Sequence, residues 1–240
     1  MTAPRTILDT ILQDAYTAGY AAPAFIIHSA DQGLPAIQAA AAEGSPILLV
    51  LNAADFPASG WRAVCDSLTD AARAAYGENF AFALALQGVR DASLIPQAAA
   101  AGFALCAAAD DSATDAIREA GMFPLRGCSM DCLGLANPGP DDVLAFAPGS
   151  LPELSDLVRA TSMLPNVPLA VRPGPDVLAS AEPADATFFP TREHPIRAAV
   201  RTGVCLVIFD ADGAPTSEQV AEAARLTAAQ GAARLMDHSS

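Results

Sequence analysis

Few residues in this chain can do chemistry, and their positions are uneven. Histidine occurs three times, at 28, 194 and 238. His28 ends a short apolar run, where an imidazole could transfer protons near neutral pH or hydrogen-bond a neighbouring loop. Carboxylates follow two further runs, Asp110 with Asp111 and Asp210 with Asp212. They could act as general bases, bind a hard cation such as Mg²⁺, or cap helices and turns. Arg90 and Arg172 follow two more runs, so a small anion is the best-motivated ligand for that end of the molecule. Cys128 and Cys132 lack a second pair, which favours packing over a metal or redox element, and Asp131 would point the opposite way in a strand.

The charge balance removes whole classes of function. Acidic residues number 27 against 13 basic ones, every one of them arginine, for a net charge of −14 and a pI near 4.3. Without lysine there is no side-chain Schiff base, no ordinary pyridoxal phosphate anchor and no Walker-type phosphate loop. The negative charge argues against nucleic acid and against a membrane surface. No apolar stretch reaches the roughly 18 residues that span a bilayer, and five cysteines without a dense framework fit reduced thiols, so a soluble, cytoplasmic protein is expected.

These residues need a scaffold, and the apolar pattern supplies one. Strands are expected at Pro23–His28, Ile47–Asn52, Phe80–Leu86, Phe103–Ala108, Cys128–Leu135, Val143–Ala147, Val167–Arg172 and Val204–Phe209. Between them lie alanine-rich helical segments near 6–18, 34–42, 60–76, 92–101, 112–119, 151–163, 195–201 and 216–233. Asp111 or Ser112 and Thr216 or Ser217 suit helix N-caps, and Gly19, Gly102, Gly121 and Gly203 suit helix ends. Eight strands alternating with helices predict an α/β fold, a (β/α)₈ TIM barrel occupying residues 1–240 as one domain. Two irregularities are expected: an abbreviated crossover near 136–142, and a long proline-rich loop at 173–194 that would serve as a lid or a subunit contact.

Gly19-Tyr-Ala-Ala-Pro-Ala-Phe-Ile-Ile-His28, Ile37-Gln-Ala39 and Ser45-Pro-Ile-Leu-Leu-Val50 resemble the opening of the class II, zinc-dependent fructose-bisphosphate aldolases. Asp142-Val-Leu-Ala-Phe-Ala-Pro-Gly149, Val167-Pro-Leu-Ala-Val171, Pro195-Ile-Arg-Ala-Ala-Val-Arg-Thr-Gly-Val204 and Phe209-Asp-Ala-Asp212 continue the resemblance in order. It implies the same barrel and, in the family, a three-histidine zinc site. This sequence departs from that site. Gln87 and Gly88 replace a proton-transferring aspartate and a zinc histidine. Met130-Asp-Cys-Leu-Gly134 lacks the family's glutamates, and Pro148-Gly-Ser150 lacks its second histidine. Arg172 stands in place of the third, and a guanidinium has no lone pair to offer zinc. Pro173 and Pro175 also remove N–H groups from the loop that cradles phosphate in the family. Ile26 and Ile208 replace polar residues.

The expected protein is thus a divergent, shortened aldolase-like barrel without a zinc site or other cofactor, a pseudoenzyme candidate that has lost zinc-dependent aldol cleavage. It would bind a small phosphorylated or carboxylated metabolite, or a partner subunit of its own or aldolase-like kind, through Arg172, Gly174, Arg90, Gln87 and Asp212. The alternatives are a metal-free acid–base lyase or isomerase acting through His28, Asp110 and Asp210, and a residual ketose-bisphosphate aldolase.

Overall fold

The computed structural model describes residues 3–77, 80–108, 111–129, 138–139, 141–146, 152–174, 178, 194–210 and 215–228, with backbone only at 108, 111 and 154. Eight parallel strands close into a barrel in chain order: β1 Ala22–Ile27, β2 Ile47–Asn52, β3 Phe82–Val89, β4 Leu105–Ala108, β5 Phe123–Cys128, β6 Val143–Phe146, β7 Leu169–Val171 and β8 Val204–Phe209. The ring closes where β1 pairs with β8, with Ala24 opposite Ile208. The (β/α)₈ barrel expected from the alternation is the observed architecture. Helices α1 Pro4–Ala18, α2 Ala30–Ala42, α3 Trp61–Tyr76, α4 Ile95–Ala101, α5 Thr114–Glu119, α6 Leu154–Met163, α7 Pro195–Arg201 and α8 Ser217–Ala228 accompany it.

Period-two alternation sorts each strand into two packed layers. Phe25, Ile27, Leu49, Leu51, Leu84, Leu86 and Val207 face the helices and join Trp61, Leu68 and Ile196 in an outer cluster. Ala24, Ile26, Leu48, Val50, Ala85, Leu105, Ala145, Ala170, Leu206 and Ile208 fill the interior. Ile26 and Ile208, which stand where the resemblance implied polar groups, are buried in this apolar filling at 2% and 1% exposure. Helix α1 brings Leu8, Ile11, Leu12 and Ala15 to the same interior cluster. Their i, i+3, i+4, i+7 spacing makes one apolar stripe, which closes the N-terminal end of the barrel.

Helix ends follow their expected chemistry. Thr216 and Gln219 form a reciprocal cap: the Gln219 N–H donates to Thr216 Oγ1 (3.1 Å) and the Thr216 N–H donates to Gln219 Oε1 (2.9 Å). Gly19 ends α1 at φ +71°, and its N–H donates to the Ala15 carbonyl.

One strand differs from expectation. The fifth strand is Phe123–Cys128, not Cys128–Leu135. Pro124 and Arg126 disguise it, because both residue types are rare in buried parallel strands. Arg126 faces the helices, where the buried carboxylate of Asp142 accepts from its Nη1 at 2.9 Å. Cys128 therefore packs on the outer cluster and not inside the barrel, while Asp131 and Cys132 lie outside the described residues. Of the expected short crossover, only 138–139 and 141–142 are described. There the Gly139 N–H donates to Asp142 Oδ2 and the Asp142 N–H donates to the Gly139 carbonyl, both at 3.1 Å. Of the 173–194 loop, only 173, 174, 178 and 194 are described.

Candidate functional site

The interior alternation continues past the apolar filling. One step toward the C-terminal end, the inward positions after Ile26, Val50, Ala85, Ala170 and Ile208 are His28, Asn52, Gln87, Arg172 and Asp210. Apolar layers thus give way to a polar ring at the barrel face where strand ends and βα loops meet, which in such barrels is the face that carries sites.

Arg172 crosses this ring. Its Nη2 donates to Gln87 Oε1 at 3.5 Å, on a strand across the mouth, and lies 3.9 Å from Asp210 Oδ2. The first contact is at the outer limit of hydrogen-bond geometry, and the second is an ion pair beyond it. Its Nε is buried and has no partner among the described residues. The guanidinium is therefore held loosely, with donors to spare. Gln87 owes its aim to an irregularity in β3. The β3–β4 register shifts between Gln87 and Val89, with Gly88 at φ +76°. A Cβ on Gly88 would sit 3.0 Å from Asn52 Oδ1, so this approach of β3 to β2 needs glycine.

On the other side of Asp210, His28 follows β1. Its backbone N–H donates to Gln32 Oε1 (2.7 Å) in the first turn of α2, and its Nδ1 lies 2.7 Å from Asp55 Oδ2. Asp55 comes from the β2–α3 loop. There Asn52 Oδ1 accepts from the Ala54 N–H, and the Asn52 carbonyl accepts from the N–H groups of Asp55 and Phe56. With Nδ1 engaged, Nε2 is the ring nitrogen available to a ligand. The pair is half exposed, at 44% for His28 and 33% for Asp55.

His28, Gln87, Arg172 and Asp210 are thus brought to one ring. Gly174 lies two residues after Arg172, at the start of the loop. Arg90 is exposed and makes no hydrogen bond or ion pair among the described residues. Beside it, Asp91 caps the turn after β3 by accepting the Ser93 N–H, and hydrogen bonding from the Ser93 side chain, with this backbone bond, holds its carboxyl below the ordinary range. Asp110 and Asp212 lie outside the described residues, and Asp111 opens a 3-10 turn. Asn52 and Asp55 were not anticipated. The signal for Asn52 was present, since it extends the inward series Leu48, Val50.

The described residues do not fit the zinc site that the resemblance implies. Among them no three histidine, cysteine or carboxylate side chains converge on a common point. Of the described residues, the polar ring offers the His28 imidazole, already committed at Nδ1, and a guanidinium where a ligand would stand.

The fold compares with solved aldolases. A fructose-1,6-bisphosphate aldolase assignment from Coccidioides immitis aligns at TM-score 0.62 and 16% identity, over 99% of this chain and 96% of that one. The YdjI aldolase of Escherichia coli K12 aligns at 0.64 and 15%, over 95% and 94%. A fructose-bisphosphate aldolase from Campylobacter jejuni aligns at 0.65 and 12%, over 87% and 77%. At such identities the likeness shows the fold alone. No protein-family model matches the sequence, and no curated protein matches it.

Proposed function

We propose that this chain is a divergent aldolase-like barrel that has left zinc-dependent aldol cleavage behind and binds a small phosphorylated or carboxylated metabolite at its C-terminal mouth. One observation supports the reading: Arg172 extends over an apolar barrel filling, and among the described residues its partners are a 3.5 Å amide and a 3.9 Å carboxylate. A guanidinium presents its donors in a planar fork that matches carboxylate and phosphate oxygens. An anion seated there would take up donors that the long Gln87 contact leaves weakly engaged. The same mouth could alternatively dock a partner subunit.

A second reading, a metal-free acid–base lyase or isomerase, draws support from the His28–Asp55 pair at 2.7 Å. A carboxylate on Nδ1 fixes the tautomer and orientation of an imidazole and leaves Nε2 to take or give a proton, while Arg172 would hold the anionic part of the substrate. Residual ketose-bisphosphate cleavage is the least supported reading, because the donor set is wrong for zinc.

Metal analysis combined with an aldol-cleavage assay tests the proposal. Substoichiometric zinc and no chelator-sensitive cleavage of fructose bisphosphate are expected. Stoichiometric zinc with cleavage abolished by a chelator would overturn it.

A further inference from the structure

Three neighbouring strand ends place unlike groups in a row: Arg172 after β7, Asp210 after β8 and His28 after β1. Adjacent strands lie about 4.8 Å apart, so Asp210 stands between Arg172 and His28 along the rim. Asp210 is oddly placed for an anion site. Its carboxylate is 53% exposed and lies 3.9 Å from Arg172 Nη2, and it accepts no hydrogen bond among the described residues. A bare anion on the guanidinium would meet this negative charge and be repelled. An anion that also carries a hydroxyl would instead donate to it, turning a repulsive neighbour into an acceptor.

We infer that Asp210 is a specificity-determining residue that selects anions bearing a hydroxyl about two carbon–carbon bonds from the anionic group, and disfavours anions without one. The spacing follows from the 3.9 Å between Arg172 Nη2 and Asp210 Oδ2, which an anionic oxygen and a hydroxyl two carbon–carbon bonds apart can reach together. The inference rests on the anion-binding reading of Arg172 and deepens it by naming the ligand class, a hydroxylated carboxylate or hydroxylated phosphate ester. Gln87 remains on the far side of the guanidinium as an amide that can contact the same anionic group. Discrimination of this kind works through unmet hydrogen bonds: a bare analogue leaves the carboxylate facing an anion with nothing between them.

The test is isothermal titration of the full chain with two matched pairs, 3-hydroxybutyrate against butyrate and glycerol 3-phosphate against propyl phosphate. The pairs separate a carboxylate source from a phosphate source. Wild type should prefer the hydroxylated member of at least one pair by about tenfold, the scale of a hydrogen bond to a charged group. Asp210→Ala should remove the preference. Asp210→Asn, which keeps an acceptor oxygen without the charge, should tighten binding of the bare members. Asp210 is half exposed, so both variants should fold, which far-UV circular dichroism verifies. If the bare and hydroxylated members bind equally, or if neither variant changes the ratio, the inference is overturned while anion binding stands. If wild type binds none of the four, the anion-site reading itself is overturned, and the inference with it.

Discussion

Asp142 and Asp210 are both aspartates beside arginine, at opposite ends of one barrel. Asp142, at the entry to β6, is fully buried, and its two oxygens accept from Arg118 Nε (3.1 Å) and Nη2 (2.6 Å), Arg126 Nη1 (2.9 Å) and the Gly139 N–H (3.1 Å). The guanidinium packs directly on the Gly139 backbone, where a Cβ would lie 2.8 Å from Arg118 Nη2. Nearby, Arg5 pairs with Asp141 at 2.7 Å and lies over the Phe123 ring at 4.8 Å, tying α1 to this end of the barrel. Among the described residues Asp210 has one arginine, at 3.9 Å, and its side chain is 53% exposed. The same two residue types build a saturated cluster in one place and an under-satisfied one in the other. A charge whose hydrogen bonds are all met inside the protein contributes to the fold, whereas one with unmet capacity on an exposed rim is available to a ligand.

The contrast can be broken by mutation. Asp142→Ala would leave two arginines facing a buried void, and removal of one member of a buried ion cluster costs about 3–5 kcal/mol. Denaturant unfolding should show that loss, with no change in anion affinity for the fraction that remains folded. The matched change Asp210→Ala should alter stability by less than about 0.5 kcal/mol, as for an exposed site. Equal losses for the two would erase the distinction.

Alkaline pH separates the packed wall from the mouth in a different way. Burial pushes the thiols of Cys65 and Cys106 up to about 12 and that of Cys205 up to about 11. Once unfolded, these thiols ionise near 9, so the unfolded state binds fewer protons between pH 9 and the folded values. Stability is then unaffected below about pH 9 and falls above it, by at most about 1.4 kcal/mol per thiol for each pH unit. Urea midpoints at pH 8 and pH 10 should differ accordingly, and pH-independent midpoints would contradict the burial. A smaller effect is expected at the cap of α8, where Thr216→Ala should cost about 1 kcal/mol in thermal unfolding without touching the mouth.

The barrel was legible from sequence because its evidence is repeated: seven of the eight expected strands largely coincide with observed ones, since apolar runs between alanine-rich helices recur around the ring. The fifth, which shares only Cys128 with the observed strand, was misplaced for a local reason. Arg126 reads as a loop residue until its partner Asp142, sixteen residues on, is brought beside it. The site was legible only in part. Gln87, Arg172, Asp210 and His28 could be placed at strand ends, and the resemblance drew the eye to the first two as substitutions. The pairing of His28 with Asp55 depends on how the Asn52 turn presents the next strand's loop, which no spacing within one strand encodes.

The central claim is that the loosely held guanidinium of Arg172 is an anion site, and it is tested most directly by comparing wild type with Arg172→Gln. Thermal unfolding in rising concentrations of glycerol 3-phosphate and 3-hydroxybutyrate should stabilise wild type, by about 2.7 kcal/mol when a ligand reaches a hundredfold excess over its Kd, and leave Arg172→Gln unmoved. Equal stabilisation of the two proteins, or none in wild type, would contradict the account.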